Sequence, residues 1–168
     1  MEKTGDVNLG DKLRPSPVLI FLQAATVVTL TEHVRQYIGE DKVHRIEIEQ
    51  KMTGGFKGGE DVHVLDGIER SSESVIYGTF NACSEWSDLS NVDDEWLKEG
   101  WLHDRSEEAG PHGEMFIKII GTHLTLGWTT TVIWGFVELE GQRYHARKAV
   151  CKKGDIEERA RGVYSWIE

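Results

Sequence analysis

Between residues 42 and 52, KVHRIEIEQKM, polar and apolar positions alternate with a period of two. Arg45, Glu47, Glu49 and Lys51 fall on one face, and His44, Ile46, Ile48, Gln50 and Met52 on the other, which is the pattern of a half-buried strand. TGGFKGGE reads as a glycine-rich reversal, followed by strand signals in DVHVLDG and VIYGTFNACSEW. Further strands are expected in EMFIKIIGTHLTL, WTTTVIWGFVEL, RYHARKAVCKK and IEERARGVYSWI. Upstream, Ser16-Pro17 opens VLIFLQAATVVTL, whose β-branched residues favour a strand. A short helix is expected over 32–38, capped by Thr31 and ended by Gly39.

Residues 1–16 are polar and read as a loose N-terminal segment. Residues 87–113 are rich in acidic and turn residues and hold room for one short helix or a brief strand over 96–102. A connection that long in a compact domain commonly serves as a lid or a binding loop. The sum of these signals is an all-β, mainly antiparallel fold of about eight or more strands, with one or two short helices. A sheet of that size tends to curl, because closure removes exposed edges. The expectation is a single domain over 1–168, a closed or nearly closed β-barrel of calycin-like layout with a long acidic lid.

The stretch TVIWGFVELEGQRYHARKAV suggests a hairpin register, and a slip of one residue at either turn would exchange its faces and make Arg147 a solvated charge. With Glu140-Gly141 as a two-residue hairpin loop, Leu139 lies opposite Gln142. Counting outward, Glu138 faces Arg143, Phe136 faces His145, Trp134 faces Arg147 and Val132 faces Ala149. A second turn at Gly154-Asp155 sets Tyr164 beside His145, Gly162 beside Arg147, Ala160 beside Ala149 and Trp166 beside Arg143. One face thus carries Trp134, Phe136, His145, Arg147 and Tyr164, with small residues leaving room. The other carries Ile133, Lys148, Arg161, Val137, Tyr144 and Ser165, a mixed set of solvent-facing character. A barrel interior that is only filled favours Val, Ile and Leu, since a buried Arg or His without partners costs several kcal/mol. Polar tips among aromatic walls are instead what a ligand cavity requires.

The charge balance narrows the partners. Asp and Glu outnumber Lys and Arg by 29 to 19, a net charge of −10 whose field repels nucleic acid and anionic membranes. The apolar run after Pro17 is too short and polar to span a bilayer and lacks signal-peptide flanks, so a cytoplasmic protein is expected. The two cysteines, Cys83 and Cys151, agree with a reducing compartment. No nucleotide-binding glycine motif, zinc spacing or nucleophile elbow occurs, so neither cofactor nor metal is expected.

The arrangement of strands resembles that of the small ligand-binding β-barrels of the lipocalin and fatty-acid-binding class, and that of cofactor-free cyclase barrels. The Gly-x-Trp signature of lipocalins is missing near the first strand; Gly100-Trp101 and Gly127-Trp128 are adjacent pairs elsewhere. Two functions follow. One is a cofactor-independent isomerase, cyclase or lyase acting on a hydrophobic, carbonyl-containing molecule such as a polyketide or terpenoid intermediate. Arg147 would polarise the carbonyl, His145 or Tyr164 would move a proton, and Trp134 and Phe136 would hold a reactive conformation. Trp166, His44, Gln50, Trp101 and His103 complete the expected lining, the last two from the lid. The other is a carrier for a hydrophobic ligand. A homodimer fits either.

Overall fold

A computed structural model describes residues 30–52, 57–74, 78–103 and 110–166. These form nine strands: β1 (Leu30–Ile38), β2 (His44–Met52), β3 (Lys57–Val64), β4 (Arg70–Ser74), β5 (Gly78–Ser87), β6 (Phe116–His123), β7 (Thr129–Leu139), β8 (Gln142–Lys153) and β9 (Ile156–Tyr164). A 3-10 turn (Leu89–Asn91) and one short helix, α1 (Glu95–Lys98), lie between β5 and β6. The strand expected over 17–29 and the lid residues 104–109 lie outside the described residues.

The helix expected over 32–38 is a strand. β1 pairs antiparallel with β2 from Leu30↔Met52 to Ile38↔His44, residue for residue. Its sequence alternates well enough to serve, and Arg35 and Tyr37 on the outer face both donate to Glu47 of β2, at 2.9 and 2.6 Å. Gly39 does end the element, but within a tight turn completed by Lys42 at φ 64°. Cross-strand pairing thus overrides a local helical signal. The reversal read into TGGFKGGE is shorter than expected, because β3 already includes KGGE.

The strands are antiparallel, and those described form two sheets with no closed ring among them. Among the described residues β1-β2-β3 make a three-stranded sheet and β4 to β9 a six-stranded meander in sequence order. The sheets meet where the chain leaving β3 runs beside β5, through a parallel bridge between Leu65 and Ser84 and a Gly67 N–H bond to the Ser84 carbonyl. Between their facing surfaces lies one core of Ile46, Ile48, Leu65, Ile117, Ile119 and Trp134. Trp128 and Cys151 form a small cluster with Ala149 and Ala160 near the β6-β7 turn. His123 holds that turn by accepting the N–H groups of Thr125 and Leu126 at Nδ1.

The opposite face of the large sheet is not the solvated surface expected of it. Ile133 and Ala146 are fully buried and Val137 nearly so, and all three pack with Val92, Leu97, Trp101 and Phe116 in a second core. The segment after β5 therefore covers the outside of the sheet. Asp94 caps α1 by accepting the Leu97 N–H, and the Trp101 indole donates to the Leu97 carbonyl at 2.6 Å. Lys148, only 6% exposed, donates to the Trp96 and Glu99 carbonyls at 2.8 and 2.7 Å, satisfying groups that a short helix leaves open. Gly135 permits the close approach, since a Cβ there would stand 2.8 Å from the Phe116 ring and 3.0 Å from Trp101.

Candidate functional site

The hairpin register holds as counted. Glu140 (φ 52°) and Gly141 (φ 76°) form the turn, and Phe136↔His145, Trp134↔Arg147 and Val132↔Ala149 pair across it. On the far side His145↔Tyr164, Arg147↔Gly162 and Ala149↔Ala160 follow. Pairing stops at Tyr164, so Trp166 has no strand partner; it is 74% exposed at the rim of a hollow it shares with Arg143.

Among the described residues, hollows open on the inner face, two of them bordering Arg147. The larger, about 380 Å³, is walled by Ile48, Val132, Phe80, Ala149, Ala160 and Tyr164, with Gln50, Asp61, His63 and Ser84 as polar points. The smaller, about 190 Å³, is lined by Ile46, Trp86, Phe136, His145 and Trp166 among others. Trp134 and Arg147 border both. Small residues make this space: Gly162 opposite Arg147 leaves room for the Tyr164 ring, which a Cβ there would meet at 3.2 Å.

Arg147 is the centre of the arrangement. Its guanidinium carbon lies 4.2 Å from the Trp134 ring centroid and 4.5 Å from that of Tyr164, a cation between two π faces. Its two terminal nitrogens meet Glu32 of β1 in a fork, at 3.1 and 2.6 Å. Gln50 donates to the same carboxylate at 3.0 Å. The pair is deeply buried, with side-chain exposures of 13% for Arg147 and 4% for Glu32. The Arg147 Nε is buried with no hydrogen-bond partner among the described residues.

His145 touches Trp134, Phe136 and Tyr164 at centroid distances of 6.0, 5.8 and 5.6 Å. Burial, and secondarily the Arg147 charge, depress its pKa from 6.5 to about 4. The imidazole is therefore neutral at physiological pH and serves as a hydrogen-bonding group or base, not as a cation. Because the unfolded chain takes up that proton first, His145 contributes stability that is complete above about pH 6.5 and lost as pH falls toward about 4. His145→Leu is expected to flatten the decline in unfolding free energy over that window by at most about 3 kcal/mol; equal slopes in urea melts of the two proteins would refute this.

A second polar set was not singled out in the sequence. On β3 and β5, His63 Nδ1 lies 3.1 Å from Ser84 Oγ, and its Nε2 lies 3.3 Å from Asp61 Oδ2. The His63 ring stands edge-on to Trp134 at 4.8 Å. Partial desolvation works against the Asp61 carboxylate, but the His63 contact, the Val62 N–H and the Arg147 charge together hold the carboxyl below its usual range. Strand alternation already put Asp61 and His63 on one face; the meeting with Ser84 across sheets carries no local signal.

The remaining expected residues scatter. Gln50 lines the larger hollow. His44 stands edge-on to Trp86 at 5.8 Å, its Nδ1 buried and unpartnered among the described residues. Trp101 packs in the outer core, away from the hollows, because its segment folds over the back of the sheet. His103, exposed, stands against Phe116 of that same core, with ring centroids 5.7 Å apart. The described part of the segment expected to be a lid is thus anchored behind the cavity, although Leu102 reaches the smaller hollow's rim. Among the described residues no group of three or more His, Cys, Asp or Glu is placed to hold a metal ion, and no helix is long and apolar enough to cross a membrane.

No family model matches the chain, and no solved structure matches it. Two curated proteins do. Pericyclase pydY of an Acremonium species is 29% identical over 115 residues, 67% of this chain and 58% of that protein. The probable pericyclase scpY of Mollisia scopiformis is 27% identical over 121 residues, 71% of this chain and 60% of that protein. The chain thus spans less than two thirds of the length of either relative.

Proposed function

We propose that this protein is a cofactor-independent isomerase or cyclase that folds a hydrophobic, carbonyl-containing small molecule in the barrel-like space between its sheets. The observation that carries this reading is Arg147: a buried cation between two aromatic faces, at the border of both hollows. The names of the two relatives point the same way, to reactions in which bonds form and break in one cyclic transition state. Such a reaction needs chiefly a folded conformer and a polarised carbonyl. Apolar walls supply the first by excluding extended shapes, and the positive charge of the Arg147 guanidinium supplies the second by stabilising an oxygen whose negative charge grows in the transition state. A polyketide or terpenoid intermediate has the required size and polarity. His145 and Tyr164 stand beside Arg147 for any proton that must move.

Thermal unfolding followed by tryptophan fluorescence tests this against hydrophobic ketones and hydrocarbons of matched shape. Ketones are expected to raise the midpoint and the hydrocarbons to raise it less, with a rearranged product of unchanged mass from the best binder. Ligand at about 100 times its Kd stabilises by about 2.7 kcal/mol, well within detection. Stabilisation without product would make the protein a carrier, and no stabilisation by any ketone would refute the cavity.

A further inference from the structure

The Asp61, His63 and Ser84 cluster plays no part in a purely conformational catalyst, yet it is built like a proton path. Exposure falls along it, from 62% at the Asp61 side chain to 14% at His63 and 6% at Ser84. All three border the larger hollow, which Arg147 and Trp134 also border. With the Asp61 carboxylate accepting from His63 Nε2–H, Nδ1 is left to accept the Ser84 hydroxyl proton at 3.1 Å. The order is that of a carboxylate, an imidazole and a hydroxyl acting in series, recognisable by geometry wherever it occurs.

We propose that Ser84, His63 and Asp61 form an acid–base relay that exchanges a proton between solvent and the carbon next to the carbonyl of the bound ligand. This gives the protein a tautomerase activity in addition to ring closure, and it rests on the cavity reading above. In the step, the ligand C–H proton passes to Ser84 Oγ while the Ser84 proton passes to His63 Nδ1. The C–H electron pair becomes the enolate double bond, and the charge collects on the oxygen, which Arg147 stabilises. A proton returned along the same path, to the same carbon or a conjugated one, completes exchange or isomerisation. No oxidant, reductant or co-reactant is consumed. Asp61 is a positioning residue that fixes the His63 tautomer and balances the imidazolium.

The probe is 2-tetralone, an apolar bicyclic ketone with acidic C–H bonds beside its carbonyl. Binding is read by tryptophan fluorescence and exchange by loss of the C–H proton signals in D2O. The intact protein is expected to bind the probe and to speed exchange over buffer on the order of 10²-fold. Ser84→Ala and His63→Gln should each remove at least about tenfold of that rate while leaving affinity in place. Asp61→Asn, at an exposed side chain with little risk to folding, should lower the saturated rate and not the affinity. Binding without accelerated exchange, or exchange untouched by Ser84→Ala and His63→Gln, would overturn the relay and leave the cavity standing. Failure to bind would overturn both.

Discussion

Arg147→Ala should lower the unfolding free energy by about 3–5 kcal/mol, because it strands the Glu32 carboxylate in an interior where its side chain is 4% exposed. The loss arises mostly from the unpaired charge, not from the pair's own net contribution. Removing both partners together, as Glu32→Leu with Arg147→Met, should therefore recover most of it. Arg147→Lys keeps a charge but loses the two-pronged contact to Glu32 and the stacking between Trp134 and Tyr164. It is the variant to use when function must be separated from folding. Urea melts of these variants decide the matter: a loss below about 1 kcal/mol in Arg147→Ala would mean that the ion pair is solvated and that Arg147 is not the buried centre described above.

The second large effect belongs to Trp134. Its ring meets the Arg147 guanidinium, His63 and His145, and it packs in the core that joins the sheets. Trp134→Ala should cost about 3–5 kcal/mol and open the wall between the two hollows. The ligand would lose its main contact surface along with the shape that selects one conformer. Trp134→Phe should cost less and keep binding while weakening control of the product. If Trp134→Ala melts within about 1 kcal/mol of the parent and binds the same ketones equally, the ligand lies elsewhere.

What the sequence disclosed, and what it hid, divides by the range of the interaction. The two hairpins of β7, β8 and β9 are joined by two-residue turns containing glycine, and such turns set register locally, so Trp134, Arg147, His145 and Tyr164 could be placed together by counting. Glu32 could not. LTEHVRQYIG has a cap, helix-compatible residues and a glycine stop, and only pairing with β2 makes it a strand and turns Glu32 toward Arg147, 115 residues away.

The outer face misled for a similar reason. Lys148 and Arg161 give it the polarity of a wet surface, but Lys148 is spent on the carbonyls around α1, and the covering segment comes from far along the chain. The antiparallel β character was readable, whereas β1 reads as a helix, β4 carries no strand signal of its own, and the division into two sheets depends on where β3 leaves its neighbours. His63 and Ser84 each look ordinary within their strands, and their contact exists only where the sheets meet.

The most direct measurement is a crystal structure of the protein with the ketone that stabilises it most. The ligand is expected between the two sheets against the Trp134 ring, its carbonyl oxygen within hydrogen-bond distance of Arg147. A ligand bound on the outer face near Trp101, or a space between the sheets still filled only with water while the ketone sits on the surface, would contradict that placement.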